Sequence, residues 1–597
     1  MAAIRALAVV LAVAVGTAHA VVPQVPTAEW LLDQVKVLSA ADTEGRGSGT
    51  PGADRAARHI AAQFRAAGLT PGGDRGTYFQ SFSVPTGIRL GPANALALLG
   101  PAPRALVLGA DFTPLAVSAD GVEEGDVVFA GYGITAPGLG WDDYAGLDAR
   151  GKLVLVLTGD PRPADPSTPF RRPEAYHYGE RSHKIINARE HGARAVLLVT
   201  HPGAPGEALP PLRGLSQSWS VAAAFVTRAV GDALLAPAGL RLAEAAGAID
   251  GPLRPRALPL PGVRARLEVS LIRDRGTTAN VVGILPGRDP RLAPEAIVIG
   301  AHYDHLGRGG EGSLAPDQAG AVHHGADDNA SGTAAVLGLA RAFAAAGGAP
   351  RTLVFAAFAG EELGLLGSAH YARSPAHPLD RTVLMVNFDM VGRLRDGKLY
   401  LGGVDSGTGL RALAASVSVP GVTPDLRGDP FAPSDHTSFY TAGRPVLFFF
   451  TGAHADYHRP SDTWDKINAP GLAAVTAFAV EVVARAASQE AAPVWVKIQT
   501  PPSPVRAGGY GPFFGVIPEF EAARAGVRIS GVRPRSPAEQ AGVRAGDVLV
   551  VFAGVSVKTL EDFTFALRSR RAGEAVDLTV VRDGAEVRLR ATLAERR

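Results

Sequence analysis

The chain has 597 residues, a formal net charge of +2 at pH 7 and no cysteine. A chain of this length needs several domains, and its near-neutral charge gives no electrostatic footprint for nucleic acid. The absence of cysteine excludes disulfides, thiol nucleophiles and cysteine-ligated zinc, so any bound metal must be held by His, Asp and Glu.

Residues 1–20 have the pattern of a signal peptide. Arg5 provides a positive charge, residues 6–15 are apolar, and Ala18-His19-Ala20 forms a small-x-small cleavage site. The apolar run is too short to cross a bilayer, and no later stretch is expected to span a membrane. The sequence therefore predicts a secreted or periplasmic protein that is cleaved near Ala20.

Helical periodicity follows between residues 28 and 70. The pattern predicts a first helix near residues 30–38, a glycine-rich loop over residues 44–52, and an amphipathic helix over residues 53–67. Gly68 is placed to end that second helix, because glycine adopts the left-handed conformation common after a helix C-terminus.

Residues 115–260 carry short apolar runs typical of strands, together with one helical stretch over residues 184–191. The predicted strands are 126–129, 152–157, 195–199 and 222–226.

Residues 277–485 have a different character, because four apolar runs alternate with helical stretches. The runs contain Val, Ile, Leu and Phe with little polar alternation, which is typical of strands buried on both faces of an α/β sheet. They are residues 296–299, 353–358, 383–388 and 446–450. A clear helix is predicted over residues 331–346 between the first two.

Acidic and imidazole side chains follow each of these four runs. Ligands of open α/β sheets bind at the carboxyl ends of the strands, so these side chains are expected to meet on one rim. Zinc accepts imidazole nitrogen and carboxylate oxygen, and a catalytic zinc site leaves a position for water. Helix capping does not explain two histidines and five acids at corresponding strand ends. These side chains lie in the runs Gly300-Ala301-His302-Tyr303-Asp304-His305, Gly325-Ala326-Asp327-Asp328-Asn329, Ala359-Gly360-Glu361-Glu362, at Asp389, and in Asp456-Tyr457-His458.

This segment resembles the co-catalytic zinc aminopeptidases of the leucyl aminopeptidase and aminopeptidase Y type. The resemblance covers about residues 277–470, and its motifs occur in the family's order. They are Gly300-Ala301-His302-Tyr303-Asp304, Gly325-Ala326-Asp327-Asp328-Asn329, Gly360-Glu361-Glu362-Leu363-Gly364, Asn387-Phe388-Asp389-Met390 and Tyr457-His458. The loop Gly45-Arg46-Gly47-Ser48-Gly49 is also similar to the family's N-terminal segment.

The resemblance implies a role for each motif residue. His302 and Asp389 would bind one Zn²⁺, Glu362 and His458 a second, and Asp328 would bridge the two. Glu361 would be the general base, and Asp304 would orient His302. Tyr457 would donate a hydrogen bond to the developing oxyanion. A peptide substrate with a free N-terminus is implied by the family.

The resemblance also implies a cis peptide bond between Asp328 and Asn329. Four further histidines lie on segments that the sequence pattern indicates to be flexible and exposed, and they are expected to be bystanders. They are His305, His323, His324 and His454.

Two flanking modules complete the predicted organisation. On the run Val128-Phe129-Ala130-Gly131-Tyr132-Gly133-Ile134, residues 113–262 resemble a protease-associated domain inserted into the peptidase, which occupies residues 21–112 and 263–487. Residues 488–507 are a proline-rich linker. On the run Pro512-Phe513-Phe514-Gly515-Val516, which is similar to a carboxylate-binding loop, residues 508–597 resemble a PDZ domain, a module that adds the C-terminus of a peptide as an extra strand. The expected fold class is α/β, with a mixed, largely parallel sheet flanked by helices, an inserted β-rich α+β domain and a C-terminal PDZ-like β domain.

Three other functions remain open from the sequence. A carboxypeptidase of the same clan would need a cationic pocket, for which Arg393, Arg427 and Arg444 are candidates. A glutaminyl cyclase uses the same metal rim but is not expected to carry both accessory domains. A non-catalytic peptide-binding protein, recruited through its PDZ-like domain, would have no use for Glu361.

Overall fold

The computed structural model describes residues 23–99, 103–206, 208–212, 214, 218–310, 312–498, 511–519 and 526–595. The predicted signal peptide, residues 1–20, and residues 499–507 of the predicted linker lie outside this part of the chain.

A nine-stranded sheet forms the centre of the largest domain. Its four middle strands are parallel and correspond to the four buried apolar runs, while its outer neighbours pair antiparallel. The fold class predicted for the chain is thereby confirmed. The path through the sheet runs Thr70–Pro71, Leu271–Leu285, Thr352–Phe358, Ala296–His302, Thr382–Phe388, Val446–Phe450, Lys398–Gly402 and Thr423–Leu426, and Phe79–Leu90 pairs with Leu271–Leu285.

Helices cover this sheet and bury its apolar side chains. The second helix begins with Pro51 at its first position, and the Thr50 side chain accepts a hydrogen bond from the backbone N–H of Ala53. The helices are Ala28–Leu38, Pro51–Ala66, Gly332–Ala345, Leu366–Arg373, Leu410–Ala415, His436–Thr441 and Ala469–Ser488. A contiguous core of residues such as Ile299, Phe355 and Phe478 fills the space between these layers.

The helix Ala469–Ser488 is long and apolar enough to cross a membrane, so the expectation of no such stretch is wrong on length and composition. Most of this helix is buried inside the fold, as expected of a core helix.

The inserted domain contains a second sheet of eight strands. A two-stranded ribbon connects this sheet to the nine-stranded sheet and consists of Phe79–Leu90 and Leu271–Leu285. The chain continues from the ribbon into the second sheet through Ala95–Leu99 and Leu258–Val269. The strand order is Arg104–Leu106, Ala95–Leu99, Leu258–Val269, Gly121–Phe129, Leu153–Leu157, Ala195–Val199, Ala222–Val226 and Phe112–Pro114. Its helices are Arg181–Glu190, Arg228–Leu235 and Leu242–Asp250.

The C-terminal domain is a small antiparallel β domain with two helices. Helix Leu560–Arg568 begins with a capping box in which Thr559 and Asp562 satisfy each other's backbone N–H groups. Its strands are Val516–Pro518, Val527–Val532, Val548–Phe552, Val555–Ser556, Ala575–Arg582 and Ala585–Thr592, and its other helix is Pro537–Gln540.

The C-terminal domain contacts both other domains. Arg189 of the inserted domain donates a hydrogen bond to Asp562 over 2.8 Å, and the rings of His183 and Phe565 lie 5.2 Å apart. On the side of the nine-stranded sheet, the Arg533 guanidinium lies 5.3 Å from the ring centroid of Phe431.

Candidate metal centre

The candidate ligands lie where the central strands end. His302 is the last residue of its strand, Glu361 and Glu362 follow Thr352–Phe358, and Asp389 follows Thr382–Phe388. Asp328 lies in an irregular helical turn, Ala326–Ser331, that leads into helix Gly332–Ala345. His458 comes from the loop after the strand Val446–Phe450.

One group of donor atoms is formed by His302, Asp328 and Asp389. The Nε2 atom of His302 lies 3.4 Å from Oδ1 of Asp328 and 3.5 Å from Oδ1 of Asp389. All three side chains are buried or nearly so. One nitrogen and two oxygens within this distance could hold a single metal ion.

A second group lies on the other side of Asp328. The Nε2 atom of His458 is 3.3 Å from Oδ2 of Asp328 and 3.2 Å from Oε2 of Glu362. Asp328 therefore directs one carboxylate oxygen toward each group. The structure brings all five predicted ligands together around this residue.

His305 belongs to the same cluster, and the expectation of an exposed bystander there is wrong. Its side chain is fully buried, and its Nδ1 atom lies 2.7 Å from Oε1 of Glu362 and 3.8 Å from Oδ2 of Asp328. His305, Asp328 and Glu362 thus form a further set of atoms close enough to hold a metal. The second group contains two imidazoles, His305 and His458, on opposite oxygens of Glu362.

The other three histidines are also less exposed than predicted. His323 is buried, its Nε2 atom lying 2.8 Å from the Ser313 hydroxyl, and half-buried His324 contacts the Ser39 carbonyl oxygen through Nδ1 at 2.9 Å. The side chain of His454 is 5% exposed and places Nε2 3.1 Å from Oδ2 of Asp327. Within the described chain these three histidines hold loops around the centre and do not join its donor groups.

The charge distribution favours cations at this centre. Burial disfavours the protonated form of His458, but Asp328 and Glu362 raise the pKa of His458 to about 11. Burial also disfavours protonation of His302, yet Glu361 and Asp389 raise the pKa of His302 well above its usual value. Each imidazole thus faces enough negative charge to favour a positive partner.

Glu361 faces the first donor group. One of its oxygens, Oε2, lies 4.0 Å from Nε2 of His302, and its side chain is 13% exposed. Burial, together with the neighbouring charge of Glu362, raises the pKa of Glu361 well above that of an ordinary glutamate, although His302 opposes the shift. A carboxylate with a raised pKa is a stronger proton acceptor, as a general base requires.

Asp304 contacts the site through both its backbone and its carboxylate. Nδ1 of His302 lies 3.2 Å from the backbone oxygen of Asp304 and 3.7 Å from Oδ1. The carboxylate accepts hydrogen bonds from the backbone N–H of Glu361, at 3.2 Å, and from the Ser48 hydroxyl, at 3.0 Å. Asp304 therefore connects a candidate ligand with the candidate base.

Tyr457 lies at the mouth of the site with its ring stacked on that of His458, 3.9 Å between centroids. The residue is 36% exposed. Burial of the hydroxyl and the nearby carboxylates of Asp328 and Glu362 raise the pKa of Tyr457 above its usual value. The phenol therefore stays protonated at neutral pH and can donate a hydrogen bond.

Several supporting residues were not predicted. Ser434 donates to Oδ2 of Asp389 at 2.7 Å and accepts from the Asn387 amide at 2.8 Å. Asp462 accepts the backbone N–H groups of Asp327 and Asp328 at 2.9 and 3.1 Å. These residues fix the orientation of candidate ligands, as outer partners in metal sites do. No sequence pattern marked either Ser434 or Asp462.

The peptide bond between Asp328 and Asn329 is cis, as the sequence analysis predicted. It lies inside the turn Ala326–Ser331, where both residues are fully buried or nearly so. The side chain of Asn329 is bonded on both sides, donating to the Phe388 carbonyl oxygen at 2.9 Å and accepting from the Gly332 N–H at 2.9 Å.

Three segments of the chain match described families and domains. Residues 280–483 match Peptidase family M28, residues 117–234 match the PA domain, and residues 512–593 match the PDZ domain.

The chain is also similar to individual known proteins. The chain is 25% identical over 385 residues to the aminopeptidase YwaD of Bacillus subtilis, which covers 62% of this chain and 70% of that protein. It is 32% identical over 179 residues to leupeptin-inactivating enzyme 1 of Streptomyces exfoliatus, covering 30% of this chain and 36% of that enzyme. Among solved structures, BSAP, a zinc aminopeptidase from Bacillus subtilis, is 22% identical with a TM-score of 0.46, covering 78% of this chain and 97% of that one.

Proposed function

We propose that the chain is an aminopeptidase of peptidase family M28, whose model matches residues 280–483, and that it uses two zinc ions to remove N-terminal residues from peptides. The observation that carries the proposal is the position of Asp328, whose two oxygens each face a separate group of nitrogen and oxygen donors. A relative named as an aminopeptidase, YwaD of Bacillus subtilis, supports it.

The donor set fits zinc. The five proposed ligands provide two imidazole nitrogens and three carboxylates, and zinc prefers this mixture of nitrogen and oxygen ligands over the all-oxygen sets typical of calcium and magnesium. We propose His302 and Asp389 for one ion, Glu362 and His458 for the other, and Asp328 as the bridge between them. When bound, a zinc pair supplies Lewis-acid polarisation and a water of lowered pKa.

The residues of the chain would then carry the proton chemistry. Glu361 accepts a proton from the attacking water as the water oxygen bonds to the scissile carbonyl carbon, and it returns that proton to the amine as the C–N bond breaks. Tyr457 donates a hydrogen bond to the carbonyl oxygen as negative charge develops there. Asp304 holds the backbone N–H of Glu361 and limits the movement of the base.

The arginines that a carboxypeptidase would need already have partners. Arg393 donates to Asp456 at 2.8 Å and to Asp462 at 2.5 Å. Arg427 pairs with Asp425, and Arg444 donates to the backbone oxygen of Asp380. Because each guanidinium is engaged, recognition of the substrate's N-terminus is favoured over recognition of its C-terminal carboxylate.

We also propose export from the cytoplasm, because residues 1–20 have a signal-peptide pattern, and a C-terminal peptide as ligand of the PDZ domain. N-terminal sequencing of protein purified from the culture medium or periplasm should give Val21 as the first residue. A mature chain that begins at Met1 would contradict the proposed export signal.

The central experiment uses one peptide in free, N-acetylated and C-amidated forms. An aminopeptidase should hydrolyse the free and C-amidated forms from the N-terminus and leave the N-acetylated form intact, as read by mass spectrometry. A block by C-amidation would indicate a carboxypeptidase, and cyclisation of an N-terminal Gln without hydrolysis would indicate a glutaminyl cyclase. Binding of all three forms without turnover would indicate a peptide-binding protein.

A further inference from the structure

The N-terminal loop of residues 45–49 contacts the segment that follows His302, although the two are more than 250 positions apart in sequence. We propose that two residues of this loop are positioning residues for the reaction: Arg46 holds two ligand-bearing loops together, and Ser48 fixes the backbone that carries Glu361. This inference rests on the proposed peptidase function and concerns residues to which that function assigns no role.

Arg46 is fully buried and is bonded entirely to backbone oxygens. Its guanidinium donates to the carbonyl oxygens of Leu38 and Tyr303, both at 2.7 Å, and of His324 and Gly325, both at 2.8 Å. Tyr303 follows His302, and Gly325 precedes the turn that contains Asp328. One side chain therefore joins the end of the first helix to the segment that follows His302 and to the residues that precede the turn with Asp328.

The charge of Arg46 suits this position. Burial lowers the pKa of Arg46 to about 10, while Asp328 and Asp304 oppose the shift, so the guanidinium remains charged at neutral pH. It has no direct carboxylate contact within the described chain, and its five donors in a planar fork match a set of converging carbonyls. A lysine, with one ammonium group, could not reach all four oxygens.

The backbone of this loop also contacts the segment after His302. The N–H of Gly307 donates to the Gly45 oxygen at 3.0 Å, and the N–H of His305 donates to the Arg46 oxygen at 3.3 Å. Gly45 has a φ of 70°, and a Cβ there would lie 2.3 Å from the Gly307 oxygen. Glycine is required at this position because no other side chain would fit.

Ser48 contacts the backbone of Gly360, the residue before the candidate base. Its hydroxyl donates to Oδ2 of Asp304 at 3.0 Å and accepts the N–H of Gly360 at 2.8 Å. The other oxygen of Asp304 accepts the N–H of Glu361 at 3.2 Å. Ser48 and Asp304 together therefore hold two successive amide groups, and this fixes the point from which the Glu361 side chain departs.

The expected consequence is specific to turnover. Removing the Ser48 hydroxyl leaves the buried N–H of Gly360 without its acceptor and releases one side of Asp304. A misplacement of about 1 Å in a reacting group can cost on the order of 10²-fold in rate. Ser48 touches none of the five candidate ligands directly, so the metals should remain bound.

The test compares Ser48→Ala with Thr50→Ala. Thr50 lies two residues away, caps helix Pro51–Ala66 and bonds only within its own segment, so its loss should lower thermal stability and leave kcat within about twofold of the wild type. For Ser48→Ala we expect kcat to fall by on the order of 10- to 100-fold, with KM and zinc content unchanged. Hydrogen exchange of the Gly360 amide should also become faster in this variant alone.

Arg46→Lys provides a second test that does not depend on turnover. Its zinc content after dialysis against a chelator should be lower than that of the wild type, and added zinc should restore part of it. The positioning role of Ser48 would be wrong if Ser48→Ala had the same kcat as Thr50→Ala, or if it lost zinc in proportion to its loss of activity. Either result could be obtained while the wild type still hydrolyses peptides. An inactive, zinc-loaded wild type would instead overturn the proposed function.

Discussion

Nδ1 of His305 lies 2.7 Å from Oε1 of Glu362, on the opposite side of that carboxylate from His458, whose Nε2 is 3.2 Å from Oε2. The two imidazole rings are nearly perpendicular, with centroids 5.8 Å apart. Hydrogen bonds from both histidines, against the opposing effect of burial, keep the pKa of Glu362 well below its usual range. Glu362 is therefore held ionised and oriented between them.

We predict different effects for the two histidines. His305→Ala should keep both zinc ions but weaken one by about 10- to 100-fold in affinity, as expected when an outer partner of a ligand is lost. His458→Ala should lose one ion outright. Zinc content and chelator titration on both variants measure the difference. If His305→Ala lost a zinc ion and His458→Ala retained both, His305 would be the ligand.

The neighbouring glutamates should separate proton transfer from metal binding. Glu361→Gln keeps its shape but cannot accept a proton, so turnover should fall by more than about 10²-fold while zinc content stays the same. Glu362→Gln should weaken one metal site, and added zinc should restore part of the activity. Zinc content and peptide turnover are measured on both variants. If Glu361→Gln lost zinc and Glu362→Gln retained it, Glu361 would be the ligand and Glu362 the base.

The rim of the sheet was predictable because it depends on local pattern. The four apolar runs without polar alternation are the four central parallel strands. A residue that directly follows such a strand lies at its carboxyl end. Asp389 directly follows Thr382–Phe388, so its position near His302 could be predicted from this pattern alone.

The surroundings of the rim were not predictable in this way. The partners of Arg393 are 63 and 69 residues away, and no periodicity connects them. His305 was misjudged because polar and glycine residues follow it, as in an exposed loop. It is instead covered by the N-terminal loop, which reaches it only through the tertiary fold, as shown by the bridge between Gly47 and His305.

The loop that carries His458 should be sensitive to acid. Burial works against ionisation of Asp456, but hydrogen bonds from Lys466, Ser461 and Arg393 hold the pKa of this carboxyl well below its usual value. A carboxyl whose pKa is lower in the folded state contributes stability above its unfolded pKa and loses it as the pH falls through the folded value.

Asp456→Asn should accordingly destabilise the metal-free protein by on the order of 1–2 kcal/mol at pH 6–7, with the difference from the wild type shrinking toward pH 3. Thermal unfolding at several pH values measures this. Asp405→Asn, at an exposed pair with Arg411, is the control and should change stability by less than about 1 kcal/mol. A difference between Asp456→Asn and the wild type that grew in acid would contradict the assigned contacts.

The ion pair between the inserted and C-terminal domains should be important for stability, because one of its members is fully buried. Asp562 is inaccessible to solvent, accepts from Arg189 at 2.8 Å, and also accepts the backbone N–H groups of Lys558 and Thr559 at 2.9 Å each. Asp562→Ala would leave the Arg189 charge without this partner and remove a helix cap, which together should cost about 3–5 kcal/mol.

The second ion pair across the same interface provides a matched control. Arg568 and Glu180 are 3.1 Å apart but partly exposed, so Arg568→Ala should cost no more than about 1 kcal/mol. Denaturant unfolding measures both variants, and limited proteolysis should show faster release of the C-terminal domain for Asp562→Ala alone. If Asp562→Ala and Arg568→Ala had equally small effects on stability, the buried pair would not hold the two domains together. Removing Asp562 can be neutral only if the charge of Arg189 moves into solvent.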